Sequence, residues 1–225
     1  MRILLIMLVA ALGLPGLATA ADKGGAPAAT VADYMPAPAK TWTGPYLGVH
    51  LGAAAMDNTV SMAGLGSLDG IGGEGLAYGV MGGYDIQMGR IVLGLYGDYT
   101  RHDSDATLTI SGVGSASVGP RDQWAIGGRA GLLLSESTLV YGLAGYTQVA
   151  YSDLTGPGFS IGMPTFSGWQ AGGGVETRLP LDGWTLDARY VFSHLDGADV
   201  AGSGVIVQPD IHVARVGVNY KLGGF

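Results

Sequence analysis

Apolar and polar residues alternate with period 2 along most of the chain beyond residue 42, the pattern of strands with two unlike faces. In the last such segment Ala214, Val216, Val218, Tyr220 and Leu222 share one face, opposite Val213, Arg215, Gly217, Asn219 and Lys221. The segment before it sets Trp184, Leu186, Ala188, Tyr190 and Phe192 against Thr185, Asp187, Arg189, Val191 and Ser193. Trp169, Ala171, Gly173, Val175 and Leu179 oppose Gln170, Gly172, Gly174, Glu176 and Arg178, while Trp124, Ile126, Ala130, Leu132 and Leu134 oppose Arg129. Tyr78, Val80, Tyr84 and Ile86 oppose Asp85 and Gln87; Leu93, Leu95 and Tyr99 oppose Tyr96 and Asp98. Short breaks at Met88-Gly89-Arg90, Ser135-Glu136-Ser137 and Leu181-Asp182-Gly183 recur about every 45 residues. Longer polar, Gly- and Asp-rich stretches lie between them, at 58–74, 104–120, 153–165 and 196–208. Four units of strand, long loop, strand and tight turn make eight strands.

Alternation alone does not say which face is inside; composition does. Of the 225 residues 48% are hydrophobic and 13% charged, against about 25% charged in soluble domains. The polar face is mostly Gly, Ser, Thr and Gln, too poor in charge to wet an outer surface but suited to the tight interior of an eight-stranded barrel. Aromatic residues fall near strand ends, where interfacial girdles belong: Trp42, Tyr84, Trp124, Trp169, Trp184 and Tyr220. Very short and long connections alternate strictly, as in membrane barrels. In hydrocarbon every backbone N–H and C=O must be paired internally, which a closed sheet does without an edge. The expected fold is all-β, an eight-stranded antiparallel transmembrane up-and-down β-barrel with its apolar face toward lipid.

The N-terminus reads differently. Arg2 precedes an apolar run from Ile3 to Leu17 and an Ala18-Thr19-Ala20 cleavage pattern, so residues 1–20 read as a secretory signal peptide. Residues 21–41, rich in Ala and Pro and without periodicity, read as a flexible periplasmic tether. The barrel occupies 42–225. With Lys+Arg 11 and a net charge of −7, no basic face is available for nucleic acid. No Cys is present, which excludes a disulfide framework and thiolate metal sites.

The inward face is expected to carry Asp85, Asp98, Glu176 and Asp187 against Arg129, Arg178, Arg189, Arg215 and Lys221. Isolated charges in a narrow lumen are costly while paired ones persist, so these groups are expected to interlock as an ion-pair network that plugs the barrel. The alternative is a hydrated lumen whose charges line a narrow pore. Acids dominate the loops (Asp57, Asp69, Glu74, Asp103, Asp105, Asp122, Asp153, Asp196, Asp199 and Asp210), with Arg101 and Arg121 the main cations there. No spacing resembles an EF-hand, and neither metal nor cofactor is expected. A hydrolase needs a nucleophile, a base in reach and an orienting acid. Only His102 and Ser104 share a face, with Asp98 on the same strand. Ser193 and His194 point to opposite faces, His50 is expected in the lumen alone, and His212 flanks the last strand. No enzyme is expected.

Five segments together resemble a family: W-T-G-P-Y-L-G from Trp42, V-L-G-L-Y-G-D-Y from Val92, V-Y-G-L-A-G-Y from Val140, G-W-Q-A-G-G-G-V-E from Gly168 and R-V-G-V-N-Y-K-L from Arg215. They are similar to the small opacity-type, porin-like outer-membrane proteins of Gram-negative bacteria, often called outer-membrane immunogenic proteins. The resemblance implies a barrel in the cell outer membrane with both termini periplasmic and the long loops extracellular. It also implies that Tyr220, Leu222 and Phe225 carry the signal read by the barrel-assembly machinery. Gly223 and Gly224 depart from the family, whose members commonly carry Phe or Tyr directly before the terminus. The implied partners are outer-membrane lipid, lipopolysaccharide and that machinery, with oligomeric state left open. The expected role is structural and surface-exposed within the envelope. A small porin passing ions or solutes, or a loop-mediated adhesin in host interaction, fits the same barrel.

Overall fold

The computed structural model describes residues 41–62, 66–103, 106–110, 114–156, 159–199 and 205–222. In chain order its strands are β1 (Gly44–Met62), β2 (Gly66–Met88), β3 (Ile91–Asp103), β4 (Ala106–Ile110), β5 (Gly114–Val118), β6 (Pro120–Ser135) and β7 (Thr138–Tyr151). There follow β8 (Leu154–Gly156), β9 (Phe159–Ile161), β10 (Phe166–Arg178), β11 (Trp184–Leu195), β12 (Ala198–Asp199) and β13 (Val205–Lys221). Eight of them, β1, β2, β3, β6, β7, β10, β11 and β13, pair antiparallel in that order. β13 then returns to β1, from Tyr46↔Lys221 to Met62↔Val205, and closes the ring. Closure leaves the barrel wall without an open edge.

The three tight turns fall where the sequence breaks place them. Gly89, at φ +62°, and Gly183, at φ +87°, adopt the left-handed backbone that such reversals require and that a side chain resists. Leu179 lies in the third turn rather than on β10, its N–H donating to Trp184 O at 2.9 Å.

The other end departs from expectation. Residues 58–74, read as a loop, are largely strand: β1 and β2 stay paired up to Met62↔Gly66. Glycine and aspartate punctuate a sequence, yet a hairpin ladder is made by the backbone and tolerates them. The stretches 104–120 and 153–165 also contain strands, and β4, β5, β8 and β9 assemble in that order into a second, four-stranded sheet. Within 196–208 the two residues of β12 pair with Val207 and Ile206 of β13.

The barrel exterior is banded. On β3 the outward series is Ile91, Leu93, Leu95, Gly97 and Tyr99, followed by Arg101 and Asp103. On β6 it runs from Leu134 and Leu132 to Trp124 and then Asp122, and on β13 from Tyr220 and Val216 to His212 and Asp210. Leu95 is 71% exposed and Leu47 61%, in the midst of many other bare aliphatics. Such a belt is far larger than the apolar patches that soluble proteins expose. Toward the loop end it passes through Tyr and Trp into acids and amides.

The interior changes in the opposite sense. Its middle is polar, but at the loop end Ala54, Met56, Ala77, Val149, Phe166, Leu195, Ile211 and Val213 form an inward apolar cluster. Above the aromatic ring the barrel is thus built like a water-soluble one, greasy inside and polar outside. A second inward apolar cluster contains Trp42, Val92, Leu133, Leu139, Leu143 and Val191. The inner face is therefore less uniformly small and polar than its sequence suggested. Where a run such as Leu132-Leu133-Leu134 is apolar on both faces, alternation carries no signal.

Candidate functional site

Among the described residues the buried charge lies in the lumen. Four acids, Asp85, Asp98, Glu176 and Asp187, and four cations, Arg129, Arg189, Arg215 and Lys221, are buried there. They are brought inward because they alternate with lipid-facing residues along β2, β3, β6, β10, β11 and β13. Their grouping is local. Nearest the tight turns, Arg129 Nε donates to Asp85 Oδ1 at 2.8 Å, its Nη2 to Asp85 Oδ2, and its Nη1 to Glu176 Oε2 at 3.0 Å. Lys221 Nζ donates to Asp85 Oδ2 at 2.6 Å and lies 3.8 Å from Glu176 Oε1. Glu176 Oε1 also accepts from Thr185 at 2.6 Å and Asn219 at 3.1 Å. This layer is neutral, two acids against two cations.

The next groups are single pairs. Arg189 Nε donates to Asp187 Oδ1 at 2.6 Å, its Nη2 contacts Met81 Sδ, and Tyr141 O–H donates to Asp187 Oδ2 at 2.5 Å. Arg215 Nη2 lies 2.9 Å from Asp98 Oδ2, and its Nη1 donates to Asp98 Oδ1 at 3.1 Å and Thr100 Oγ1 at 3.0 Å. The same Nη1 is 3.0 Å from His50 Nε2. His50 is thus in the lumen but not alone, as the sequence had suggested, because strand register places it beside a cation and a carboxylate. Adjoining these pairs is an uncharged set. His102 Nε2 donates to Gln123 Oε1 at 2.8 Å, and Gln123 Nε2 donates to Thr147 at 2.9 Å and Ser193 at 3.1 Å. Gln170 Nε2 donates to the Tyr96 hydroxyl at 2.9 Å.

Space for these side chains comes from glycines paired with them on the neighbouring strands, Gly94 across from Asp85 and Gly174 across from Arg189. A Cβ on Gly94 would strike Asp85 Oδ1, and one on Gly174 would sit 2.7 Å from Arg189 Cβ and 2.9 Å from the Tyr141 hydroxyl.

Arg178 stands apart from the central groups. Half-buried at the tight-turn end, it donates to Thr41 O at 2.8 Å and places its guanidinium 4.9 Å over the Trp42 ring. Trp42 itself, read as an interfacial residue, is 0% exposed and seated inside that end. Its backbone N–H donates to Gln87 Oε1 at 2.7 Å, its indole N–H to Glu136 O at 3.2 Å, and Lys221 Nζ lies 4.8 Å over the ring. An aromatic residue before the first strand can serve girdle or interior equally by sequence; two cations over one ring favour the interior. The other aromatics expected at the girdle, Tyr84, Trp124, Trp169, Trp184 and Tyr220, are exposed.

Among the described residues no nucleophile, base and acid come together around the candidate histidines. His102 is committed to Gln123, and Ser104 lies outside the described residues. Ser193 faces inward, while His194 and His212 face outward beside Asp210 and Tyr190. Tyr220 and Leu222 are exposed on the outer face, and Phe225 lies outside the described residues. Among the described residues no group of three or more His, Asp or Glu is arranged to hold a metal ion.

The chain is 30% identical over 210 residues to the 31 kDa outer-membrane immunogenic protein of Brucella melitensis biotype 1, spanning 81% of this chain and 84% of that protein. Among solved structures, Neisserial surface protein A aligns at 16% identity over 77% of this chain and 97% of its own, with a TM-score of 0.42. The attachment invasion locus protein of Yersinia pestis aligns at 15% identity over 78% of this chain and 99% of its own, with a TM-score of 0.39. The family model described as the outer membrane protein beta-barrel domain matches residues 10–221, and the chain belongs to that family of outer-membrane β-barrels.

Proposed function

We propose that this protein is a non-conducting outer-membrane barrel with a structural and surface role in the envelope, its lumen blocked by interlocking ion pairs. The observation that carries the reading is the balance of buried charge: four acids against four cations, grouped so that each layer is neutral. A permeating ion would have to break such a layer and leave a charge uncompensated in a low-dielectric interior. Trp42 at one end and the cluster around Phe166 and Ile211 at the other support the same conclusion. In this reading the tight turns and both termini face the periplasm and the long connections face outward, following the length rule of membrane barrels. The exposed Tyr220 and Leu222 serve the assembly machinery, and no enzymatic step is assigned. Refolded protein in planar bilayers should give no stable single-channel conductance; a sustained open level would overturn the plug and return the small porin. The second sheet, β4-β5-β8-β9, favours one further reading, an organised recognition surface of the adhesin type. Deleting 106–118 should then abolish binding to target cells while the barrel still folds.

A further inference from the structure

A chain of ring contacts runs across β10, β11 and β13 on the outer face of the barrel. Trp169 stacks edge-on with Phe192 at 5.6 Å and lies 5.6 Å from the His194 ring; Phe192 lies 4.9 Å from His212. The Tyr190 hydroxyl and His212 Nδ1 are hydrogen-bonded at 2.5 Å. Toward the loop end this platform carries a polar crown. His194 Nδ1 meets Asp210 Oδ1 at 2.7 Å, and Gln208 Nε2 is 3.0 Å from His194 Nε2. Bonded on both ring nitrogens, His194 is fixed in place rather than free to turn.

The patch straddles the level at which the exterior changes from apolar to polar. Trp169 and Tyr190 continue the aliphatic belt, whereas His194, Gln208 and Asp210 begin the water-facing wall. An occupant must therefore be anchored in the bilayer and hydrogen-bonding above it. Among the described residues no Lys or Arg points outward here, since Arg189 and Arg215 both face the lumen, so the patch is not built around a phosphate. Ring faces carry negative π density that attracts the weakly positive C–H faces of a pyranose. Asp210 and Gln208 alongside supply acceptors and donors for its hydroxyls.

We infer that this face seats the saccharide headgroup of a membrane glycolipid, its sugar against Trp169 and Phe192 and its hydroxyls on Gln208 and Asp210, which His194 holds in position. The inference rests on the loop end facing the glycolipid leaflet, and a test in detergent is independent of that orientation. The folded full-length protein in a zwitterionic detergent is titrated with rough-type lipopolysaccharide, and separately with phosphatidylglycerol, and bound lipid is counted by native mass spectrometry. His194→Ala with Gln208→Ala, and separately Trp169→Leu, should each weaken lipopolysaccharide retention about tenfold. Trp124→Leu, on another wall of the same aromatic ring, should leave it unchanged, and phosphatidylglycerol retention should not vary. Heat-modifiable gel migration confirms folding, and the crown double variant carries the test if Trp169→Leu does not fold. Equal losses in Trp124→Leu, unchanged binding in the crown variant, or a patch variant that alters only self-association would each overturn the assignment. Orientation fails separately, if a protease acting on intact cells spares 153–165.

Discussion

Replacing Asp85 by Asn removes one negative charge from the layer nearest the tight turns. Asn keeps one acceptor oxygen, but the other becomes an NH2 donor facing a cation. Asp85 accepts from Arg129 Nε, Arg129 Nη2 and Lys221 Nζ, so at least one of these loses its partner, and both cations lose the carboxylate charge. Both cations are left with Glu176, which lies 3.0 Å from Arg129 and 3.8 Å from Lys221. Two buried cations facing one carboxylate is the situation in which removing half of a buried pair costs about 3–5 kcal/mol. The double variant Asp85→Asn with Lys221→Met restores neutrality, so it should be more stable than the sum of its parts by about 1–3 kcal/mol. Urea titration of protein folded into lipid vesicles, read by the fraction that keeps the migration of the folded form, supplies the free energies. Asp57→Asn, on the exposed outer wall, should stay within about 0.5 kcal/mol of the parent. If Asp85→Asn matches that control, the layer is hydrated and the reasoning from uncompensated charge is wrong.

Arg215→Ala strands Asp98, and should cost about 3–5 kcal/mol in the same titration; an unchanged midpoint would place water around Asp98. Leu95→Arg, at the most exposed position of the aliphatic belt, should cost about 2–4 kcal/mol, whereas Ala55→Arg beyond the aromatic ring should be nearly neutral. Equal effects would show that the belt does not face hydrocarbon. Gly174→Ala pushes a methyl against Arg189 and Tyr141 and should destabilise by about 1–3 kcal/mol. Gly97→Ala, whose added Cβ would meet only Ala125 O at 4.0 Å, is the matched substitution on the outer face and should be tolerated.

Strand number, turn positions and facing were legible because a half-buried strand repeats every two residues and its turns need Gly, Asp or Ser. Parity put Asp85, Arg129, Glu176 and Arg215 on the polar face, and the scarcity of charge on that face turned it inward. What parity does not encode is depth along the barrel axis. Arg178 shares parity with Glu176, yet it sits at the rim and turns to Thr41 and Trp42. Leu133, Leu139 and Leu143 were hidden because their outward neighbours are equally apolar. The partners of His50 depend on the register of β1 against β13 and on β3 across the lumen, contacts between residues far apart in the chain. The early part of β2 was hidden by Gly66, Gly72 and Gly73, whose backbone pairs with β1 as well as any other in a ladder, and the short Thr59-Val60-Ser61-Met62 run of β1 was read with the loop beside it.

The reversal of chemistry along each strand fixes how deep the barrel rides. One step of two residues is about 7 Å of strand. A slip by one step toward the tight-turn side would drown Asp122, Asp210 and His194 in acyl chains, and a slip the other way would beach Leu134 and Met88. The hull has a single waterline, so whatever rises from the long connections, the second sheet included, stands at a set height above the leaflet rather than bobbing with it.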